Sequence, residues 1–153
     1  MDYVKELRKV VGHRPLILPG AVVIILNGKN ELLLQNRNDG GWGLPGGLME
    51  MGESIEETAR REVKEETNLE IEELQLMGIF SGEEYFFKID NGDEFYSVTA
   101  VYATEDVKGD LAVNKTEASD LQYFHLNHLP DDMAYEYRSY ITPFVKKLLK
   151  VGE

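Results

Sequence analysis

Three glutamates of this chain, Glu62, Glu65 and Glu66, fall within five residues of one another inside a segment that reads as a helix. On a wheel of about 100° per residue with Glu62 at zero, Glu65 falls at about −60° and Glu66 at about +40°. Ile55, Ala59 and Val63 fall at about +20° to +100°, whereas Arg60, Lys64 and Glu57 fall at about 160–220°. The three carboxylates therefore share an edge with the residues that pack inward, apart from the solvent-facing charges. Carboxylates gathered there repel one another unless a cation lies between them. Hard oxygen ligands select Mg²⁺, Mn²⁺ or Ca²⁺ over softer metals. The bland alternative is a solvated helix laced by i,i+4 pairs such as Arg61–Glu65.

The linear order around this helix narrows the choice. Gly47 is followed after five residues by Glu53, after seven more by Arg61-Glu62-Val63, and then by Glu65-Glu66 and Asn68-Leu69. Gly43-Leu44-Pro45-Gly46-Gly47 leads into it. This order resembles the Nudix box, the loop–helix–loop signature of the MutT-like Nudix hydrolases, over residues 47–69. The one departure is Asn68, where the family usually has glycine; asparagine tolerates the left-handed backbone. The resemblance implies an α/β fold, an α/β/α sandwich whose mixed sheet carries helices on both faces. It implies hydrolysis of a nucleoside diphosphate linked to another group, either a nucleotide sugar such as ADP-ribose or a nucleoside triphosphate. Water attacks phosphorus, with Mg²⁺ as cofactor and Mn²⁺ as substitute.

The same resemblance assigns Glu62, Glu65 and Glu66 to the metal, with Gly47 offering its carbonyl. Glu62 is also the candidate to orient or deprotonate water, and Arg61 and Glu53 are orienting groups. Glu117, in a loop before a short aromatic strand, is the further acid for metal binding or base work. Arg37 ends a strand that points at the glycine-rich loop, so it is a candidate phosphate ligand. Trp42 is a candidate to stack on a base, although packing is the commoner use of a tryptophan. Tyr85, Phe86 and Phe87 are open to a base pocket or to the core. A catalytically idle Nudix domain that senses a nucleotide is the competing reading. The intact Glu62, Glu65 and Glu66 stand against it.

Composition bounds the rest. The 153 residues carry 28 acids and 16 bases, a net charge of −12, which disfavours a duplex nucleic-acid binder. Residues 50–73 hold ten glutamates against Arg60, Arg61 and Lys64, so the acidity concentrates where the metal is expected. No cysteine is present, which excludes disulfides, zinc-thiolate sites and a cysteine nucleophile. The longest apolar run, Ala21 to Leu26, is far short of the ~18 residues of a membrane helix, and the first residues lack the apolar core of a signal peptide. A cytoplasmic enzyme with a small nucleotide substrate, and a homodimer from the family, are the expectations.

The elements that must position these residues follow from periodicity. One domain is expected over 1–153, beginning with a short helix over 1–12 in which Tyr3, Leu7 and Val10 form the apolar face and Gly12 stops it. Leu16–Leu18 reads as a short strand, and Ala21–Leu26 as a separate one after Pro19-Gly20. Leu32–Arg37 is a further strand, and Trp42–Gly47 an irregular loop. Ser54 caps the box helix, which runs to Thr67. Leu69–Phe80 reads as one irregular strand. Asp90-Asn91-Gly92-Asp93 joins a hairpin of Tyr85–Ile89 and Glu94–Ala103, with Tyr96, Val98, Ala100 and Tyr102 on one face of the second arm. A short strand over Leu121–Leu126 precedes a helical end in which Thr142-Pro143 starts or kinks the last helix.

Overall fold

The computed structural model describes residues 2–149. Residue 1 of the expected N-terminal helix and residues 150–153 of the expected domain lie outside the described residues. Helix α1 (Tyr3–Val11) is capped by Asp2, whose side chain accepts the Lys5 N–H, and it ends at Gly12 with φ 69°. Its inward residues are Tyr3, Val4, Leu7, Arg8 and Val11, all half-buried. Val10, expected on that face, is 83% exposed. The stripe runs one residue to the side because Val4 and Val11 take its place.

Strand β1 (Leu16–Ile25) is continuous, and the two strands expected on either side of Pro19-Gly20 are one. It pairs in parallel with β8 (Glu94–Thr104) through ten residues, from Leu16↔Phe95 to Ile25↔Thr104. Pro19 is tolerated because its carbonyl accepts the Met49 N–H. Its nitrogen therefore faces β4 (Gly46–Leu48), just past that short strand's end, and no bond of the β8 ladder is lost. The main sheet has the order β4-β1-β8-β6, in which β6 is Gln75–Phe80, with β7 (Phe86–Lys88) also paired to β8. The β7–β8 hairpin turns at the predicted Asn-Gly, where Ile89 N–H bonds the Asp93 carbonyl.

A second sheet joins β10 (Ala118–His125), β2 (Glu31–Arg37) and β3 (Trp42–Gly43). The segment expected as a loop over Trp42–Gly47 thus supplies β3 to one sheet and the start of β4 to the other. The expected strand Leu69–Phe80 is likewise divided. Its first part, β5 (Glu70–Ile71), pairs with β9 (Val107–Lys108), and its second, β6 (Gln75–Phe80), joins the main sheet. Both corrections have one cause. A strand's membership is decided by distant partners, which local periodicity does not contain.

Alternation along β1 builds two apolar layers. Ala21, Val23 and Ile25 pack with Ala100 and Tyr102 of β8 against Ala59 and Val63 of helix α2 (Ile55–Thr67). Val22 and Ile24 pack on the other side with Val101, Ala103, Tyr140 and Ile141. The last two belong to α3 (Tyr135–Ile141), which a 3-10 turn at Thr142–Phe144 links to α4 (Val145–Leu148). The chain is thus a mixed sheet with helices on both faces. Each wholly buried Val or Ile on β1 contributes about 1.5–3 kcal/mol, so a charge at Val23 or Ile24 would undo a layer.

Candidate active site

Helix α2 starts where the chemistry of its first turn dictates. Ser54 Oγ accepts the Glu57 N–H at 3.0 Å, and Glu57 returns a bond to the Ser54 N–H at 2.8 Å. The helix ends at Asn68, which takes the left-handed conformation at φ 68°. Between these caps Ala59, Val63 and Thr67 face the sheet, and this fixes the azimuth of the glutamates.

Glu66 is 4% exposed. Its Oε1 accepts the Gly46 N–H at 2.8 Å and the Gln35 amide at 3.2 Å. Glu62 lies beside Gly47 so closely that a Cβ there would overlap its carboxylate. A Cβ on Gly46 would overlap Ala21 and Val22 of β1 in turn. Two bare glycines therefore let β4 wedge between β1 and the two carboxylates. Glu65 departs from the expected convergence. Its side chain is 54% exposed and, among the described residues, reaches only Arg61, at 3.4 Å. The wheel contains the reason: Glu65 lies on the far side of Glu62 from Ala59 and Val63.

Arg61 organises this edge. It forms a fork on Glu53, with Nε to Oε2 at 2.5 Å and NH2 to Oε1 at 3.0 Å. It also donates to Glu62 Oε2 at 2.5 Å and to the Leu48 carbonyl at 3.1 Å. Glu53 further accepts the Glu50 N–H and the Thr58 hydroxyl. One guanidinium thus ties the loop before the helix to the helix and to the end of β4.

The charge states follow. The Arg61 bonds hold the Glu53 carboxyl down at about 2. Burial pushes Glu62 up to about 7, even against Arg61, and Glu65 and Glu117 add repulsion. Burial pushes Glu66 up to about 8, outweighing the Gly46 N–H, with Glu62 and Glu117 adding to the rise. Glu117 is an exposed residue of the turn before β10, and its backbone carbonyl accepts the Asn38 N–H. Its negative charge is the smallest of the contributions that raise Glu62 and Glu66.

Among the described residues no three His, Asp or Glu side chains gather tightly enough to enclose an ion by themselves. A full protein cage is the requirement of Ca²⁺ rather than Mg²⁺, which keeps waters and takes one or two carboxylates plus substrate phosphates. A buried and a half-buried carboxylate against a bare glycine backbone, both pushed by burial toward retaining protons, suit such an ion.

On the other side of β4 a cleft of about 390 Å³ opens between the main sheet and α3. Gly46 and Gly47 are part of its wall, as are Arg37, Phe87, Phe95, Ser97, Thr99, Tyr137 and Tyr140. Arg37 is held by Asp39 at 3.1 Å. Burial disfavours its charge, but Tyr137 and Asp39 raise its pKa overall. Trp42 is absent from the cleft wall; it packs edge-on against Phe124 at 4.9 Å. Of the three aromatics left open by the sequence, Tyr85 is core, Phe86 rests on Tyr96 at the surface and Phe87 reaches the cleft. Sequence reasoning missed the Phe95, Ser97 and Thr99 column, because it followed the opposite face of β8. It missed Tyr137 and Tyr140 because nothing local says which face of α3 meets the sheet. Gln35 carried a signal that went unread, a polar residue ending the run Leu32-Leu33-Leu34.

A mixed sheet between helices, with a glutamate-bearing helix set against a glycine strand, defines a Nudix fold. The family model for the NUDIX domain matches residues 17–144, and the chain belongs to the Nudix family of hydrolases. It is 30% identical over 147 residues to an ADP-ribose pyrophosphatase of Methanocaldococcus jannaschii, covering 93% of this chain and 80% of that protein. It is 32% identical over 131 residues to a putative 8-oxo-dGTP diphosphatase of Bacillus subtilis, covering 82% and 78%. Other curated relatives are longer, and the chain spans 41% and 60% of two of them. Among solved structures, a MutT NUDIX hydrolase from Burkholderia pseudomallei superposes with a TM-score of 0.72 at 25% identity, covering 83% of this chain and 97% of that one. Among the described residues no helix is long and apolar enough to cross a membrane.

Proposed function

We propose that this protein is a Mg²⁺-dependent pyrophosphohydrolase, with Mn²⁺ as substitute, that splits a nucleoside diphosphate linked to another group. The observation that carries the reading is the backing of half-buried Glu62 and buried Glu66 onto Gly46-Gly47, whose other side walls the cleft. The same pair of glycines thus borders both the carboxylates and the cleft proposed for the nucleotide. When bound, a divalent cation neutralises the diphosphate and lowers the pKa of water. Glu62, Glu66 and the Gly47 carbonyl would hold it, with Glu65 and Glu117 as outer acids. Glu62 orients the attacking water or takes its proton. Arg61 and Glu53 keep Glu62 in place, and Arg37 holds a phosphate oxygen from the cleft side.

The names of the two relatives, one for ADP-ribose and one for 8-oxo-dGTP, support nucleotide sugars and nucleoside triphosphates as the classes to try. The family resemblance extends the proposal to one Nudix domain over 1–153 and to a cytosolic homodimer, whose mass sedimentation equilibrium would report. The test of the activity is a panel containing ADP-ribose and nucleoside triphosphates, with products identified. EDTA should abolish turnover and Mg²⁺ or Mn²⁺ restore it; full turnover by metal-free protein would sink the mechanism.

A further inference from the structure

Strand β2 contributes Leu32, Leu33, Leu34 and Gln35 to the interior, and none exceeds 1% exposure. Leu33 packs in the layer under α2, so alternation aims Gln35 toward α2 as well. Its backbone is fixed on both sides, by Gly43 of β3 and Leu121 of β10. Burying a primary amide in such a place is costly unless its hydrogen bonds are made. Among the described residues only one of them is made. Nε2 donates to Glu66 Oε1 at 3.2 Å, while Oε1 of Gln35 is buried without a partner among the described residues. A leucine would complete the run without that cost. The amide is therefore retained for its donor, and the donor has one target.

The target oxygen is doubly held. Glu66 Oε1 also accepts the Gly46 N–H, so two donors from two different strands meet on a single carboxylate oxygen. Their directions fix the plane of the carboxylate, and Oε2 accepts no hydrogen bond from the described residues. Turning the amide over would set its carbonyl against a carboxylate. The observed orientation presents the donor that an ionised, cation-bound Glu66 would need.

We infer that Gln35 is a positioning residue, whose amide locks Oε1 of Glu66 and thereby reserves Oε2 for the divalent cation. The inference rests on the reading of Glu66 as a metal ligand. Partners of this kind behind a metal ligand are worth about 10–100-fold in metal affinity.

The test is Mn²⁺ binding to the full chain without substrate, read from the paramagnetic resonance of free Mn²⁺. Gln35→Met keeps the volume and removes the donor. It should raise the Mn²⁺ Kd by about 10-fold or more, and raise the Mn²⁺ concentration for half-maximal turnover in step. At saturating Mn²⁺, kcat should stay within about threefold of wild type, since no reacting group is lost. The metal-free Tm should hold or rise, because a buried unpaired acceptor disappears. Gln35→Asn keeps an amide but withdraws it by one methylene, and it should weaken Mn²⁺ too; it serves if the Met variant folds poorly. Wild-type Mn²⁺ affinity in a folded variant, with only the Tm lowered, would make Gln35 a packing residue and overturn the inference. Glu66→Gln separates the two readings. If it keeps wild-type Mn²⁺ affinity, the metal assignment itself fails. If it loses Mn²⁺ while Gln35→Met does not, only the positioning role falls.

Discussion

Replacing Glu66 by glutamine changes one oxygen to an NH2 group and leaves the rest of the site intact. The new side chain still offers Oε1 to the Gly46 N–H and to Gln35, so the fold should survive. What vanishes is a buried charge. In the metal-free protein burial pushes the Glu66 carboxyl up to about 8 from an ordinary value of 4.5. At about 1.4 kcal/mol per pKa unit, ionising it in place costs several kcal/mol. A carboxyl whose folded pKa is raised contributes stability that is full below its unfolded pKa and lost as pH rises through the folded value. For Glu66 that loss runs from about 4.5 to about 8, and for Glu62, raised to about 7, it ends a little lower. Metal-free wild type should therefore lose melting temperature between pH 5.5 and pH 9, and Glu66→Gln should lose less, since only the Glu62 part remains. At about 2–4 °C per kcal/mol for a domain of this size, the variant should melt on the order of 5–10 °C higher at pH 9 and close to wild type at pH 5.5. Staying above pH 5 keeps Glu53 ionised, since its carboxyl, held at about 2, would move stability in the opposite sense in acid. Millimolar Mg²⁺ should raise the wild-type melting temperature at pH 8, and should raise that of Glu66→Gln far less. Turnover should fall with it, by about 10²-fold or more, because the cation carries both charge neutralisation and water activation. Differential scanning calorimetry with and without Mg²⁺, paired with steady-state kinetics, makes the measurement. Wild-type turnover together with an unchanged Mg²⁺ shift would refute the site assignment, even with the fold intact.

Glu117→Gln keeps size and removes a charge and a possible base; kcat should fall about 10²-fold or more if it serves the metal or the water, and a change under about threefold returns it to an ordinary loop glutamate. Gly47→Ala places a methyl group where the Glu62 carboxylate lies. It should cost about 1–3 kcal/mol of stability and most of the Mg²⁺-induced melting shift, whereas wild-type values in calorimetry and kinetics would mean that the close approach is not needed. Lys64→Gln, on the solvent side of α2, should change neither turnover nor the Mg²⁺ shift appreciably, and a large effect there would show that the helix is oriented differently.

What the chain determined locally was the box helix and its charges. Ser54 and Glu57 bond each other across one turn, Asn68 bears the left-handed backbone, and Ala59 and Val63 choose the buried side. All of these act within four residues or so, which is why spacing alone placed Glu62 and Glu66 at the inward edge, although it placed Glu65 there too, whose side chain is 54% exposed. The Asn-Gly hairpin and the Gly12 stop are of the same kind. Membership in a sheet was decided elsewhere. Pro19 looked like a break until β8 supplied a ladder that its nitrogen does not face. Leu69–Phe80 looked continuous until β9 and β8 claimed different parts of it. The cleft was least legible, because its wall comes from β1, β2, β4, β7, β8 and α3, which meet only in three dimensions. The singly bonded amide of Gln35 belongs to the same category: the sequence showed a polar residue after three leucines, and only the packing of β2 against α2 put Glu66 in front of it. Backbone capping and helical periodicity are short-range and survive without the fold. Strand partners, burial and the pKa values that burial sets are long-range, and they exist only once the layers have closed.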